Sequence, residues 1–384
     1  MPNWFTRLSG RAAAPAEKKA LQSFVSLSAL GDASWSRRGF VSLAGAGFMK
    51  NPVVYRCVRM VAEAATRVPL VVDEGGRKLS EHPLASLLAR PNARVGGAEL
   101  LEGVYAYLLT AGNAYLEAVT LDDEVKAIYA LRPDRVRVAL GRDGHAVGYG
   151  YTAGGRTRQL SLEARPVAEV MHLALFHPLD DHYGMAPLEA AAQSLDIHNA
   201  AADWNKALLD NAARPSGALI YTADTGLTEA QFSRLKGELE ANFQGASNAG
   251  RPLVLEGGLD WKPMALSPAE LDFVELKNAA AREIALAFGV PPMLLGIPGD
   301  NTYANYAEAN RAFWRGTVIP LVMRVADDLS FWLGAGFGGV KLVADVDGVE
   351  ALAEDRAALW ARVGGAEFLS DAEKRAMLGV GSQQ

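Results

Sequence analysis

The sequence holds one cysteine and six histidines, and the dipeptide Gly-Lys occurs nowhere in its 384 residues. A lone cysteine excludes an intramolecular disulfide framework and fits a reducing compartment. Without Gly-Lys there is no phosphate loop of the Walker type, so ATP hydrolysis by that route is excluded. No G-x-S-x-G elbow is present, and the glycine runs GAGF and GFGG lack the strand, helix and acidic context of a dinucleotide site. Positive charge is also scarce: 38 Lys and Arg face 44 Asp and Glu, giving a formal charge of -6 and a pI near 5.6. That balance argues against a module that grips DNA through a concentrated basic face, although it permits contact without tight binding. No run approaches the roughly 18 apolar residues of a membrane span, and the start MPNWFTRLSGRAAAPAEKKA lacks the apolar core of a secretory leader. A soluble, intracellular chain is expected.

Half of the residues are hydrophobic, enough to bury more than one core. Residues 1 to about 48 are rich in Ala, Ser and Gly without a sustained period, which predicts a flexible arm or one ordered by a neighbour. Asn51-Pro52 reads as an N-cap followed by proline at the first helical position. In that helix Val54, Cys57, Val58 and Val61 share one stripe, so Cys57 is expected in the core. From 68 to about 186 the patterns alternate. AELLEGVYAYLLTAG is helical, whereas VPLVV, NAYLEAV, VKAIYAL, DRVRVAL and EVMHLALF read as strands, an α+β texture.

After GMAP, 27 residues from Pro187 run without internal glycine or proline, roughly 40 Å if helical. Two apolar stripes flank a polar, mostly acidic face of Asp196, Asn199, Asp203, Lys206 and Asp210. Such a helix suits a wall, packed on both sides and wet on one. A compact insertion follows: strand GALIYT, a helix opening with the capping box Thr228 to Gln231, then RPLVLEGG and LDWKPMAL as an expected hairpin. A second long helix, SPAELDFVELKNAAAREIALAFG, ends at FGVPPMLLGIPGDNTYANYAEAN. This loop has no Lys, Arg or His between Glu283 and Asn310, and it holds no nucleophile or metal set. Pro320 lies inside the helix that comes after it and is expected to kink it. Two short helices close the chain.

Catalytic candidates are few. His172, His177, Asp180, Asp181 and His182 cluster in MHLALFHPLDDHYG, but Pro178 breaks any helical i, i+4 ligand face, so a strand end with a polar turn is the better reading. A metal-dependent hydrolase built on His177, Asp180 and His182 stays open as an alternative, as does a monomeric virion scaffold or adaptor. Arg132, Arg135 and Arg137 in RPDRVRV read as a solvated strand face. No catalytic, cofactor-binding or metal residue is assigned.

Taken in order, NPVVYRCVRMVAEAATRVPLVV, HPLASLLARPNA, AGNAYLEAV, YALRPDRVRV, HYGMAPLEAA, ARPSGAL, AREIALAFGVPPMLLG, NTYANYAEANRAFW and TVIPLVMRVADDL resemble the portal proteins of lambda-like tailed bacteriophages and related gene transfer agents. The resemblance spans about residues 50 to 333. It implies a non-enzymatic ring of about twelve subunits at one capsid vertex, through which double-stranded DNA is packaged and ejected. It also implies a portal fold: an arm at 1–50, an α/β wing at 51–186, stem helices at 187–213 and 268–289, and a small α/β clip at 214–267. A tunnel loop at 290–305, a kinked helix at 306–333 returning to the wing, and a helical crown at 334–384 complete it. The loop residues Ile297, Pro298, Gly299, Asp300, Asn301, Thr302, Tyr303 and Asn305 would line the DNA channel. Implied partners are further copies of the chain, the major capsid protein, the terminase large subunit and head-tail adaptor proteins. No membrane is implied. The place of action would be the portal vertex of a virion or virus-like particle, with assembly in the bacterial cytoplasm.

Overall fold

The computed structural model describes residues 36, 39–79, 81–163, 165–210, 217–221, 228–234, 237, 259–263, 272–299 and 302–379. Helix α1 (Phe40–Ala46) leads into α2 (Pro52–Thr66), whose N-cap Asn51 accepts from the backbone N–H of Val53 and Val54. The hairpin β1 (Leu70–Glu74) and β2 (Arg77–Leu79) precedes α3 (Pro83–Ala89) and α4 (Gly97–Ala111). Two three-stranded antiparallel sheets follow. In the first, β3 (Asn113–Leu121) lies between β4 (Glu124–Leu131) and β8 (Val170–Ala174). In the second, β6 (Ala146–Ala153) lies between β5 (Val136–Leu140) and β7 (Arg156–Ser161).

The strands at NAYLEAV, VKAIYAL, DRVRVAL and EVMHLALF are where periodicity put them, and β6 and β7 are additional. Their segments, GYGYTA and RTRQLS, look like turn and charged surface in sequence. In β6 the glycine is structural, because a Cβ on Gly148 would lie 2.8 Å from the Leu160 carbonyl of the neighbouring strand. The Tyr149 and Leu160 side chains turn to the other face and bury with Tyr115, Leu131, Val136 and Val170.

Three boundaries shift. The expected arm ends earlier than residue 50: Leu43 is buried, and Gly47 sits so close to Leu43 and Leu188 that α1 is part of the core. The expected 27-residue helix is divided at Ala191, whose N–H bonds back to both Pro187 and Glu189. This tightens α5 (Pro187–Ala190) into a separate turn before α6 (Ala192–Asp210). The LDWKP strand, β10 (Leu259–Pro263), pairs antiparallel with β9 (Gly217–Tyr221), while RPLVLEGG lies outside the described residues. The capping box at Thr228 and Gln231 is formed.

Helix α7 (Phe273–Ala287) packs on α6, with Trp204 and Phe273 stacked at 4.3 Å. The last long helix comes in pieces: α8 (Tyr303–Phe313), a π-helical turn at Trp314–Val318, and α9 (Ile319–Leu333). Beyond it, β11 (Lys341–Ala344) pairs with β1, tying residues expected in a crown to the β1–β2 hairpin. Helices α10 (Ala353–Gly364) and α11 (Asp371–Met377) follow. One large core joins α2, α4, β3, α7 and α9, and within it Cys57 is fully buried, its thiol pushed up to about 12 by desolvation. A thiol so protonated is not a nucleophile.

Candidate functional site

The loop after α7 is built from its root upward. Helix α7 ends in a Schellman closure: Val290 N–H bonds to Ala285 O (2.9 Å), Gly289 N–H bonds to Leu286 O (3.0 Å), and Gly289 takes a φ of 65°. Ala285 and Val290 are both buried, the apolar contact that accompanies this motif. Pro291 then starts a single 3-10 turn at Pro292–Leu295, closed by Gly296 at φ 73°. Ile297 N–H reaches back to Pro292 O (3.3 Å), and the Ile297 side chain is buried. Ile297 therefore anchors the loop in this chain rather than lining an open surface, a correction to the expectation for it. Pro298 and Gly299 are exposed. Asp300 and Asn301 lie outside the described residues. Thr302 caps α8 by accepting from Asn305 N–H (3.2 Å), and Asn305 is exposed. Tyr303 is the first residue of α8.

Two residues that hold this loop were not singled out in sequence. Arg282, one helical turn or more before the loop, donates from Nη2 to Pro298 O at 2.5 Å, and its Nη1 is 3.6 Å from Glu275. The cation-free stretch thus has a cation at its tip, supplied through space and engaged by a carbonyl. Thr317 donates to Gly289 O at 2.6 Å and fills the space a Cβ on Gly289 would need. Neither contact has a local sequence pattern; both bridge 16 residues or more.

Thr317 is presented by the π-helical turn, and Pro320 accounts for that turn. Proline has no N–H to give Gly316 O, and its ring crowds that carbonyl, so the helix widens over Trp314–Val318 before Pro320 opens α9. The irregularity expected at Pro320 falls one turn earlier for this reason.

The polar face of α6 divides in two. Near its start Asp196 accepts from the N–H and hydroxyl of Ser36 (2.8 and 2.5 Å). Asn199 accepts from the Asn51 side chain and donates to Ala46 O, both at 2.9 Å. The same Asn51 amide reaches the Nδ1 of buried His198 at 2.9 Å. Burial, with Lys277 second, holds that imidazole below its usual range. Farther on, Asp203, Lys206 and Asp210 are exposed, and Lys206 pairs with Asp210 at 2.5 Å. Only this second half is wet; the first half is structural, a correction to the single wet face.

The histidine cluster is a folding device. His172 stacks on Tyr115 at 4.3 Å, takes a hydrogen bond at Nδ1 from the Tyr149 hydroxyl (3.1 Å) and donates from Nε2 to Asn113 Oδ1 (2.8 Å). Desolvation lowers it to about 4, so the ring is neutral, as this bonding pattern requires. Asp180 accepts from the N–H of His182 (2.8 Å) and Tyr183 (2.9 Å), which keeps its carboxyl below the usual range. His177 Nδ1 accepts from Leu179 N–H. Among the described residues no group of three or more His, Cys, Asp and Glu is placed to hold a metal. Arg132 is committed to Asp134 through two hydrogen bonds. No helix among the described residues is long and apolar enough to cross a membrane.

Comparison with known proteins gives a consistent picture. The phage portal protein family matches residues 52–379. The neck of an empty gene transfer agent particle, computed with C6 symmetry, contains a chain 52% identical to this one. The match covers 92% of this chain and 96% of that one, with a TM-score of 0.72. The neck of a native particle, computed with C12 symmetry, gives 51% identity, 92% and 97% coverage and a TM-score of 0.69. The portal protein of Enterobacteria phage HK97 is 26% identical over 87% of this chain and 76% of its own length. A fold of long helices with several small antiparallel sheets, a loop without catalytic groups and a family match over most of the chain lead to one assignment: the chain belongs to the phage portal protein family.

Proposed function

We propose that this chain is the portal subunit of a gene transfer agent or tailed-phage particle, forming a homo-oligomeric ring of about twelve copies at one capsid vertex. The observation that carries this reading is the match at 52% identity over nearly the whole of both chains to a particle-neck protein. Double-stranded DNA passes through the ring in packaging and ejection, with no chemistry by the ring itself. The segment 214–267 meets the terminase large subunit and later the head-tail adaptors, and the capsid protein surrounds the 51–186 region.

In this reading the loop 290–305 faces the passage. Each phosphate paired with a free Lys or Arg would add salt-dependent affinity and slow a moving duplex. The loop's own residues supply no cation, and Arg282 beside it is bonded to Pro298 O and lies near Glu275. The exposed half of α6, with Asp203 and Asp210, is acidic on balance and suits the same wall.

Electron micrographs and native mass of the purified chain test the ring. Closed rings with a central opening are expected, and a chain that is monomeric at every salt concentration and absent from particles would sink the reading. Asn301→Lys tests the loop. Packaged DNA should fall about tenfold while ring formation is unchanged, because new phosphate contacts hold the duplex. Normal packaging would remove the loop from the passage.

A further inference from the structure

Two exposed patches on this subunit complement each other. The first is the loop 175–184 with the outer face of α9. Phe176 is 80% exposed and Leu179 92%, and on α9 Met323 and Phe331 (87%) are exposed as well. Arg324 joins the two parts by donating to Ala174 O. The loop is not a floppy excursion. Leu175 N–H bonds to Gly112 O (2.8 Å), Asn113 Oδ1 receives Gly184 N–H (2.7 Å), and the Tyr183 hydroxyl accepts from Val138 N–H (3.0 Å). Large apolar side chains held out on a fixed frame mark an interaction surface. Its charged rim is acidic on balance: Asp180, Asp181 and Asp327 against Arg324 and Lys341.

The second patch is the α1–α2 junction. Met49 is 80% exposed, Tyr55 is half-exposed with its ring 5.2 Å from Phe48, and the exposed charges are Lys50 and Arg56. Arg56 has only a long contact, 3.9 Å, to Glu63. Helices α2 and α9 pack on one another through buried faces, and each keeps an exposed face. One patch is apolar with an acidic rim, the other is apolar with a basic rim, and the elements that carry them share one core. That is the arrangement a head-to-tail ring contact needs.

We propose that the Phe176–Leu179 and Phe331 face of one copy docks on the Met49–Arg56 face of the next copy. The inference rests on the ring reading and adds to it which surfaces meet. Cysteine cross-linking tests it, because Cys57 is buried and does not compete. In rings of the double variant Met49→Cys, Leu179→Cys, mild oxidation should produce a ladder of covalent multimers, and neither single variant should do so. Asp181→Lys should raise the protein concentration at half-maximal ring formation about tenfold or more, and Lys50→Glu in the same chain should recover most of that shift. Unchanged thermal melting of the monomer keeps misfolding out of the comparison. Normal-sized rings that give no ladder overturn this interface while leaving the ring reading intact. So does a Leu179→Cys adduct formed only with another particle protein. Failure of the unmodified chain to form rings under any condition strikes the ring reading itself.

Discussion

The loops 175–184 and 288–299 both leave a buried element and both reach the surface, yet they are held by different means. The first is fixed by what lies beneath it. Asn113, itself buried, bonds to Gly184 through both its oxygen and its nitrogen, and Gly112 and Gly184 approach so closely that neither has room for a Cβ. The second is fixed at its root, by the Schellman closure and Thr317, and at its outer end by the partly exposed Arg282. A loop secured by buried donors and missing side chains has one conformation to offer. A loop secured at its root and by one surface guanidinium keeps its shape near the core, while its tip depends on a single exposed contact.

Five substitutions sharpen that contrast, beginning with a pair of glycines and going on from the larger to the smaller single effects. Gly184→Ala puts a Cβ 2.2 Å from Gly112 O and should cost at least about 4 kcal/mol or prevent folding. Gly296→Ala meets nothing within 4 Å and pays only for its left-handed backbone, about 1 to 2 kcal/mol. Chemical denaturation of both variants reads the difference, and equal losses would break the comparison.

The next effect is one of pH. His172 titrates near 4 in the folded chain and near 6.5 unfolded, so the unfolded state takes up the proton first. Its contribution is fully present above about 6.5 and is lost as pH falls toward 4, a swing of about 3 kcal/mol. His172→Gln should flatten that part of the stability profile, measured by denaturant midpoints between pH 4 and 7. An unchanged profile would show that the imidazole is not buried neutral.

Thr317→Val removes the hydrogen bond to Gly289 O but keeps the side-chain volume, and should cost about 1 kcal/mol. Its signature is faster amide exchange at Gly289 and Val290, with the 175–184 loop unaffected. Arg282→Ala should have the smallest effect on stability, within about 1 kcal/mol, because its contacts are exposed. The backbone order parameter of Gly299 should nonetheless fall, with those of Gly289 and Val290 unchanged. An unchanged value at Gly299 in the variant would show that the guanidinium does not hold the tip.

Much of the architecture was legible because local chemistry decides it. Asn51-Pro52 starts a helix, Gly112 ends one, and the valine stripe around Cys57 buries on a 3.6-residue period. What escaped was settled at a distance. Strands β6 and β7 carry alternating glycine and arginine that gain meaning only when stacked on Tyr115 and Leu131. Asp196 and Asn199 fit a helical polar face by spacing, and it is Ser36, Ala46 and Asn51, about 150 residues away, that make them structural. Pro320 announced an irregular helix, but the carbonyl it displaces belongs to Gly316, which puts the widened turn ahead of the proline. In the loop, the absence of cations was a true reading of the chain and an incomplete reading of space, because Arg282 folds back to Pro298.

The pairing of β11 with β1 sets a clock on synthesis. Leu70 leaves the ribosome early, but the strand that completes its sheet ends at Ala344. At about 5 to 20 residues per second the edge of β1 waits roughly 15 to 55 s for its partner. Neighbouring nascent chains on one message therefore meet while each still lacks its closing strand, and the sheet of β1 is complete only after Ala344 has emerged.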